Sequence, residues 1–437
     1  MAEAVLENFM ARGDLRAIAE LAAGLGVDAW LVGGALRDLF LGRAVNDLDF
    51  ALSGACEELP RAFAERIAGT SFWLDEVRQQ ARVTKKQDDG TAVYDLAPLC
   101  GTTIQEDLAR RDFTINALAV TLSGDRRELI DPLHGCDDLR QGIVRVCGAA
   151  AFDDDPLRLL RAIRFSVELG FTIEESTWEA IRRRAGLLKG VAAERVRDEL
   201  CKTLAATGCG ASLRKLVAAG LWREIAPFPG PSPNEMDIDR ADAAERLCME
   251  MGDRFMDERK RLADYLGHEV EGGISVLPLV KLAAFLGSDE EEKAAVLAER
   301  LRLGREARRM LGFLCRDEAA LHGDPARVRA VRAMYRFFRD REPAGPGMLV
   351  ISRAAGAVSE DVFRRLVQFW LRDYDPDVPD LFLSGGEIME ILGITPGKTV
   401  GQAMAQLREA ESVGIVNSRE EAREFVKNLL TKEEAMR

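Results

Sequence analysis

The sequence predicts an α+β chain, an α/β head of roughly 150 residues followed by an elongated all-helical body. Three observations predict it. Short apolar runs with strand character are confined to the first part of the 437 residues. From about residue 155 onward Leu, Ala, Arg and Glu at helical spacing take over. The clearest breaks in that second part, "APFPGPSPNE" (226–235) and "REPAGPG" (341–347), are rich in Pro and Gly.

Within the head, "DAWLV" (28–32) and "DLDFAL" (47–52) read as strands, and "ALRDLFLG" between them as a short helix closed by Gly42. Further strands are predicted at "QARVTKK" (80–86), "AVYDLAPL" (92–99), "INALAVTL" (115–122) and "RELIDP" (127–132). Pro156 is placed as the first residue of a helix, with Asp155 or Asp154 as its cap. The breaks then divide the chain into a head, 1–150, and helical pieces at 151–226, 236–341 and 348–437.

Acids outnumber bases by 73 to 60, for a formal charge of −13. Such a chain does not coat nucleic acid nonspecifically, so any polyanion it binds meets a local basic surface. Its eight cysteines form no CxxC pair and read as free thiols of a reducing compartment. The N-terminus carries acids where a signal peptide carries bases. The most apolar later stretch, "VLPLVKLAAFLG" (276–287), is broken by Lys281 and too short to span a bilayer. A soluble, cytoplasmic protein with no membrane partner is the expectation.

In "VNDLDFAL" (45–52), strand residues i and i+2 share a face, so Asp47 and Asp49 present their oxygens together while Leu48 and Phe50 face the core. Two like charges so close repel unless a divalent cation sits between them, and hard oxygens suit Mg²⁺. Two solvated acids at a strand end are the bland alternative. Upstream, "LVGGALRDLFLG" (31–42) offers a strand, the pair Gly33-Gly34 and a helix whose first N–H groups can cradle a triphosphate, with Arg37 adding charge. It is neither a Walker A loop nor a dinucleotide fingerprint. In "RRDFTIN" (110–116), Arg111, Asp112 and Asn116 supply a cation, an acceptor and an amide able to hold ribose hydroxyls and phosphates; a structural Arg–Asp pair is the alternative. In "DDDPLRLLRAIRF" (153–165), Arg158, Arg161 and Arg164 share one helical face, and Leu157, Leu160, Ile163 and Phe165 fill the rest. Arginines on so buried a helix need acids or phosphates.

These stretches resemble the nucleotidyltransferase superfamily of DNA polymerase beta, and more narrowly the class II tRNA nucleotidyltransferases and bacterial poly(A) polymerases. The resemblance is carried by "LVGGALRDLFLGRAVNDLDFAL", "EDLARRDFTINALAV" (106–120), "LIDPLHGCDDLRQGIVRV" (129–146), "FDDDPLRLLRAIRFSVELGF" (152–171), "AAERVRDEL" (192–200) and, more loosely, residues 383–416. It implies a polymerase beta-like head that extends the 3′ end of tRNA without a template, using CTP, ATP or both. It implies two Mg²⁺ ions held by Asp47 and Asp49, and a third carboxylate on a neighbouring strand, for which Asp95 is the candidate. It also implies that Gly33, Gly34, Arg37, Arg111, Asp112, Asn116, Arg161 and Arg164 bind the nucleotide. An acid-acid-x-x-Arg motif, falling here on Asp154, Asp155 and Arg158, reads the base. Carboxylate plus guanidinium fits the amino donor and ring-nitrogen acceptor that cytosine and adenine share, and rejects uracil and guanine.

Two departures bear on specificity. The commoner motif begins Glu-Asp, one methylene longer than Asp154-Asp155. Relatives that add a complete CCA carry a longer flexible segment before "EDLARRD", where this chain has only "CGTTIQ". The short segment resembles the CC-adding subtype, whose partner enzyme completes the CCA end. A-adding or full CCA-adding activity, poly(A) polymerase, a small-molecule nucleotidyltransferase and a non-catalytic RNA-binding protein are the rival readings. The helical body is expected to grip the acceptor arm, with Arg182, Arg183, Arg184, Arg195 and Arg197 as phosphate contacts or as a solvated face. Many relatives carry an HD phosphohydrolase domain. Here His134, His268 and His322 are not followed by Asp, and Phe285, Leu286 and Gly287 stand where such a pair belongs, so a degenerate helical remnant is expected.

Overall fold

The computed structural model describes residues 2–434 apart from 55–56, 88–89, 123–126, 230, 255–257, 288–289, 317–330, 375–380 and 413, so His322 lies outside the described residues. The chain divides into two units, residues 1–191 with 218–224 and residues 192–217 with 225–437. The division falls inside the 151–226 piece rather than at its Pro/Gly boundaries.

The first unit is built on seven strands, β1 (Ala29–Val32), β2 (Asp47–Leu52), β3 (Thr70–Asp75), β4 (Gln80–Gln87), β5 (Gly90–Pro98), β6 (Ala119–Thr121) and β7 (Leu129–Ile130). They form one sheet in the order β3-β4-β5-β2-β1-β6-β7. β2 and β5 run parallel; the other neighbours are antiparallel. Helices α1 (Ala2–Met10), α2 (Gly13–Gly24), α3 (Gly34–Phe40), α4 (Glu58–Ile67), α5 (Ile104–Ala109), α6 (Gly135–Gln141), α7 (Ala151–Asp154), α8 (Arg158–Glu168) and α9 (Glu175–Arg184) surround it, with a short parallel pair, β8 (Ile143–Val144) and β9 (Thr172–Ile173), beside them.

Period-two patterning gives the sheet two different faces. Leu48, Phe50, Ala81, Val83, Tyr94 and Leu96 are buried on one side, where Phe63 of α4 meets Tyr94 edge-on at 5.1 Å and the Tyr94 hydroxyl donates to Asp14 at 2.9 Å. Each such fully buried large side chain contributes about 1.5–3 kcal/mol. The opposite face is closed at one end by Ile104 and Leu108 of α5 against Val32, Ala51 and Ala119. At its other end it carries Asp47 and Asp49.

Three expectations about elements change. Ile115 and Asn116 form part of a 3₁₀ turn (Thr114–Asn116), and the strand begins only at Ala119. Local side-chain bonds draw this segment out of the ladder: Asn116 and the Phe113 N–H both donate to Asp112, and Thr114 to Asp138 at 2.6 Å. The helix after the triple aspartate begins at Arg158, not Pro156. Ala151–Asp154 forms its own turn, and Asp155, held extended as a residue before proline tends to be, accepts the Leu157 N–H at 3.2 Å. Asp154 ends that turn and caps nothing further on. Finally, the body is not wholly helical, since Glu269–Glu271 and Ile274–Ser275 pair across Gly272-Gly273, both at positive φ.

In the second unit the helix Val276–Leu286 is buried on nearly all sides. Lys281, 2% exposed, donates to Glu245 at 2.7 Å and to the Ala206 carbonyl at 2.9 Å. Glu245 also accepts the Cys209 N–H at 2.9 Å. Lys281, with apolar Phe285 and Leu286, thus stands on the helix where an HD pair would belong, and its partner Glu245 comes from the neighbouring helix Glu235–Arg254. A second core gathers Leu383, Ile388, Leu407, Ala410 and Val426 towards the C-terminus. The described cysteines are free thiols, and no described helix is long and apolar enough to cross a membrane.

Candidate active site

The turn after β1 sets the geometry. Gly33 has φ +80° and donates its N–H to the Leu118 carbonyl at 3.2 Å. A Cβ there would lie 3.0 Å from Arg111 Nη1 and 3.1 Å from Asp49 Oδ2, so glycine is required by both dihedral and space. β2 pairs back along β1 with Asp49 opposite Val32. On its other edge the parallel register sets Asp95 beside Asp49.

Asp47 is exposed at the strand end and Asp49 is half-buried. Burial raises the Asp49 carboxyl above its ordinary value; Arg111 opposes the rise, while Asp95 and Asp47 reinforce it. Crowded, partly desolvated acids are the electrostatic condition that a divalent cation relieves. Among the described residues no group of three or more His, Cys, Asp or Glu is arranged to hold a metal. The pair Asp47 and Asp49 fits Mg²⁺, which typically takes one or two carboxylates with phosphates and water completing its shell. Asp95 is engaged differently, by Arg82 through bonds of 2.7 and 2.8 Å to its two oxygens.

Beside the carboxylates lies a polar network centred on Asp112. It accepts from the Phe113 N–H (2.8 Å), Asn116 Nδ2 (3.0 Å), and Arg161 Nε and Nη2 (2.9 and 2.7 Å). Although burial works against its charge, Arg161 and Asn116 hold the Asp112 carboxyl below its ordinary value. Asn116 in turn accepts from Arg37 at 2.7 Å, and Arg37 pairs with Asp38. Arg111 turns to Asp107 at 3.0 Å. A cavity of about 470 Å³ is lined by Gly33, Gly34, Arg37, Asp47, Asp49, Arg111, Asp112, Asn116, Arg161 and Arg164. Asp95, Asp154, Asp155 and Arg158 are not among its lining residues. Arg158 donates instead to the carbonyls of Arg110, Arg111 and Ala151.

Residues 29–145 match the poly A polymerase head domain, and residues 170–229 the probable RNA and SrmB-binding site of polymerase A. The chain is 41% identical to a CC-adding tRNA nucleotidyltransferase of Geobacter sulfurreducens, across 96% of each chain. It is 33% identical to an A-adding tRNA nucleotidyltransferase of Deinococcus radiodurans, across 91% of this chain and 94% of that one. The chain belongs to the class II tRNA nucleotidyltransferases. A solved CCA-adding enzyme in complex with CTP superimposes with a TM-score of 0.69 at 25% identity, over 96% of this chain and 94% of that one. The Thermotoga maritima CCA-adding enzyme complexed with tRNA gives 0.64 at 25%, over 95% and 94%.

In this nucleotidyltransferase Ala35, Asp38, Ala44, Val45, Asn46 and Phe165 also line the cavity without having been singled out from the sequence, and Phe165 matters most. Phe165, read as core filler, is buried, and three guanidiniums stand over its ring, Arg37 at 5.0 Å, Arg161 at 5.2 Å and Arg164 at 4.3 Å. The ring gathers guanidiniums from two helices at one wall of the cavity, each of them also paired with a carboxylate, Asp38, Asp112 and Glu168. The available signal was the spacing in "RAIRF", which puts Arg161 one helical turn before Phe165. Phe165→Leu is expected to raise the KM for nucleoside triphosphate about tenfold, a loss of about 1.4 kcal/mol, with kcat little changed and Phe165→Tyr retaining most of the affinity. Steady-state kinetics at saturating RNA check this. Of the arginines proposed for phosphate contact, Arg183, Arg184 and Arg197 are paired with Glu179, Asp153 and Asp198.

Proposed function

We propose that this nucleotidyltransferase extends tRNA whose CCA end is missing or incomplete, and that it stops after two C residues. The observation that carries the second part is the connection between β5 and α5. Thr103 caps α5 by accepting the Glu106 N–H at 3.2 Å, and Glu106 accepts the Thr102 N–H at 2.7 Å and its hydroxyl at 2.9 Å. This reciprocal clasp fixes a short loop. It supports a site without the longer flexible segment expected of relatives that add a complete CCA. The high identity to a CC-adding relative over the whole chain supports the same reading.

In this reading the Gly34 N–H, where α3 begins, and the guanidiniums of Arg37, Arg161 and Arg164 bind the triphosphate and aim its α-phosphate at the carboxylate pair. Asp112 and Asn116 orient Arg161 and Arg37. Asp47 and Asp49 would hold two Mg²⁺ ions, which when bound acidify the RNA 3′-hydroxyl and neutralise the departing pyrophosphate. The 3′-oxygen, its proton passing to solvent water, bonds to the α-phosphorus as the bond to the pyrophosphate oxygen breaks. Asp155 and Arg158, where α8 starts, are the residues we assign to the cytosine edge, with Asp154 beside them; Arg158 would turn to it from the carbonyls of Arg110, Arg111 and Ala151. The helical second unit holds the acceptor arm.

The test is to offer tRNA transcripts ending before CCA, after C and after CC, each with a single nucleoside triphosphate. CTP alone lengthens the first two, and neither CTP nor ATP lengthens the third. Extension of only the third, with ATP, would overturn the reading.

A further inference from the structure

The catalytic face of the sheet continues past the carboxylates. Asp49 pairs with Asp95, Asp95 with Arg82 and Arg82 with Phe72, so four residues on four adjacent strands stand in register. Paired residues of a sheet point to the same face. Their chain neighbours Leu48, Tyr94 and Val83 are buried on the other side. On the outer part of this row Arg82 is partly exposed, its side chain at 37%, and Phe72 is 46% exposed on the edge strand β3.

The guanidiniums over Phe165 lie on the opposite flank of β2, with the Gly33 turn and α8. Phosphoryl transfer is in line, with nucleophile and leaving pyrophosphate on opposite sides of the phosphorus. A triphosphate seated on the guanidinium flank therefore calls for the RNA hydroxyl from the β5-β4-β3 flank. An exposed aromatic ring beside a cation is the chemistry that holds an unpaired RNA end, the ring stacking on a base and the cation meeting the backbone.

We propose that the row Asp95, Arg82, Phe72 seats the 3′-terminal nucleotides of the RNA, Phe72 stacking on a base and Arg82 turning from Asp95 to a phosphodiester. The proposal rests on the reading of the cavity as the triphosphate site, and goes beyond it by giving the RNA its own surface. Phe72→Ala raises the KM for tRNA ending before CCA about tenfold or more, the scale of one lost base stack. It leaves the KM for CTP and the thermal midpoint unmoved, and Phe72→Trp restores the affinity. Arg82→Gln also raises the KM for tRNA and lowers the slope of its logarithm against that of salt concentration by about 0.7, as one lost phosphate contact on a single strand would. An unchanged KM for tRNA in Phe72→Ala, or a parallel rise in both KM values, overturns the stacking seat. An unchanged salt slope overturns the role of Arg82. Asp49→Asn is assayed alongside: if it is inactive while Phe72→Ala binds tRNA normally, only the seat is wrong. If Asp49→Asn still incorporates CTP, the reading of the cavity falls, and the seat with it.

Discussion

Asp49→Asn removes nucleotide incorporation, lowering kcat by at least about 10³-fold, or about 4 kcal/mol of transition-state stabilisation, while the protein without divalent cation melts no lower than the wild type. The two halves of this expectation have one cause. Asp49 is partly desolvated and crowded by Asp95 and Asp47, so its charge is a burden on the fold alone and is useful only when a cation shares it. Arg111, its favourable neighbour, keeps a partner in Asp107 when Asp49 is neutralised. Mg²⁺ should then raise the wild-type midpoint through linked binding and leave that of Asp49→Asn in place. Incorporation assays and thermal melts with and without Mg²⁺ check both halves. A variant that lost activity because it melted far lower would remove the argument.

Arg161→Ala is expected to be the more damaging change to stability. Arg161 supplies two charge-assisted bonds to Asp112, whose side chain is only 10% exposed, and its removal strands a buried carboxylate. Breaking such a pair costs roughly 3–5 kcal/mol. Because Arg161 is itself about a third exposed, the lower figure applies, and a loss of about 3 kcal/mol corresponds to roughly 10 °C in a unit of this size. The pH dependence has a definite sign. Asp112 has its folded carboxyl held below the ordinary value, so the pair stabilises the wild type above the ordinary carboxylate range and fades as pH falls through the depressed value. The deficit of Arg161→Ala is therefore greatest near neutrality and shrinks in acid. Asp112→Asn combined with Arg161→Gln, which leaves no stranded charge, should recover most of the midpoint but not the affinity for triphosphate. Calorimetry across pH is the measurement.

The parts of the head that follow one rule were legible. β1 was visible as a short apolar run ending at the Gly33-Gly34 pair and β2 because Asp47 and Asp49 alternate with Leu48 and Phe50, and the cavity residues of "LVGG", "RRDFTIN" and "RLLRAIR" were found because each stretch carries its own chemistry. What could not be read depended on neighbours remote in sequence. β3 went unseen because "TSFWLD" places Phe72, Trp73 and Leu74 consecutively, all exposed, on an edge strand with no buried face to impose period two. Arg82 is an ordinary polar residue of an alternating strand until the register places it on Asp95. The start of α8 was misplaced because the rule favouring Pro at a first helical position competed with the rule restricting the residue before it, and in "DDDPL" the second prevailed. For the same reason Asp155 serves the Leu157 N–H, and Asp154 belongs to the preceding turn.

The parallel pairing of β2 with β5 also governs when activity can appear as the chain is made. β3, β4 and β5 join by short connections and can zip up quickly, whereas β2 must wait for that whole meander to return before its outer edge is covered, a non-local closure that is intrinsically slow. During synthesis, Asp47 and Asp49 emerge early on a strand whose hydrogen-bonding edge stays open until residues up to Pro98 have left the ribosome. The Arg161 bond to Asp112 comes later still. β1 can pair with the inner edge of β2 early, so the outer edge of β2, where Asp49 meets Asp95, is the part of the sheet that is completed only once Pro98 is available.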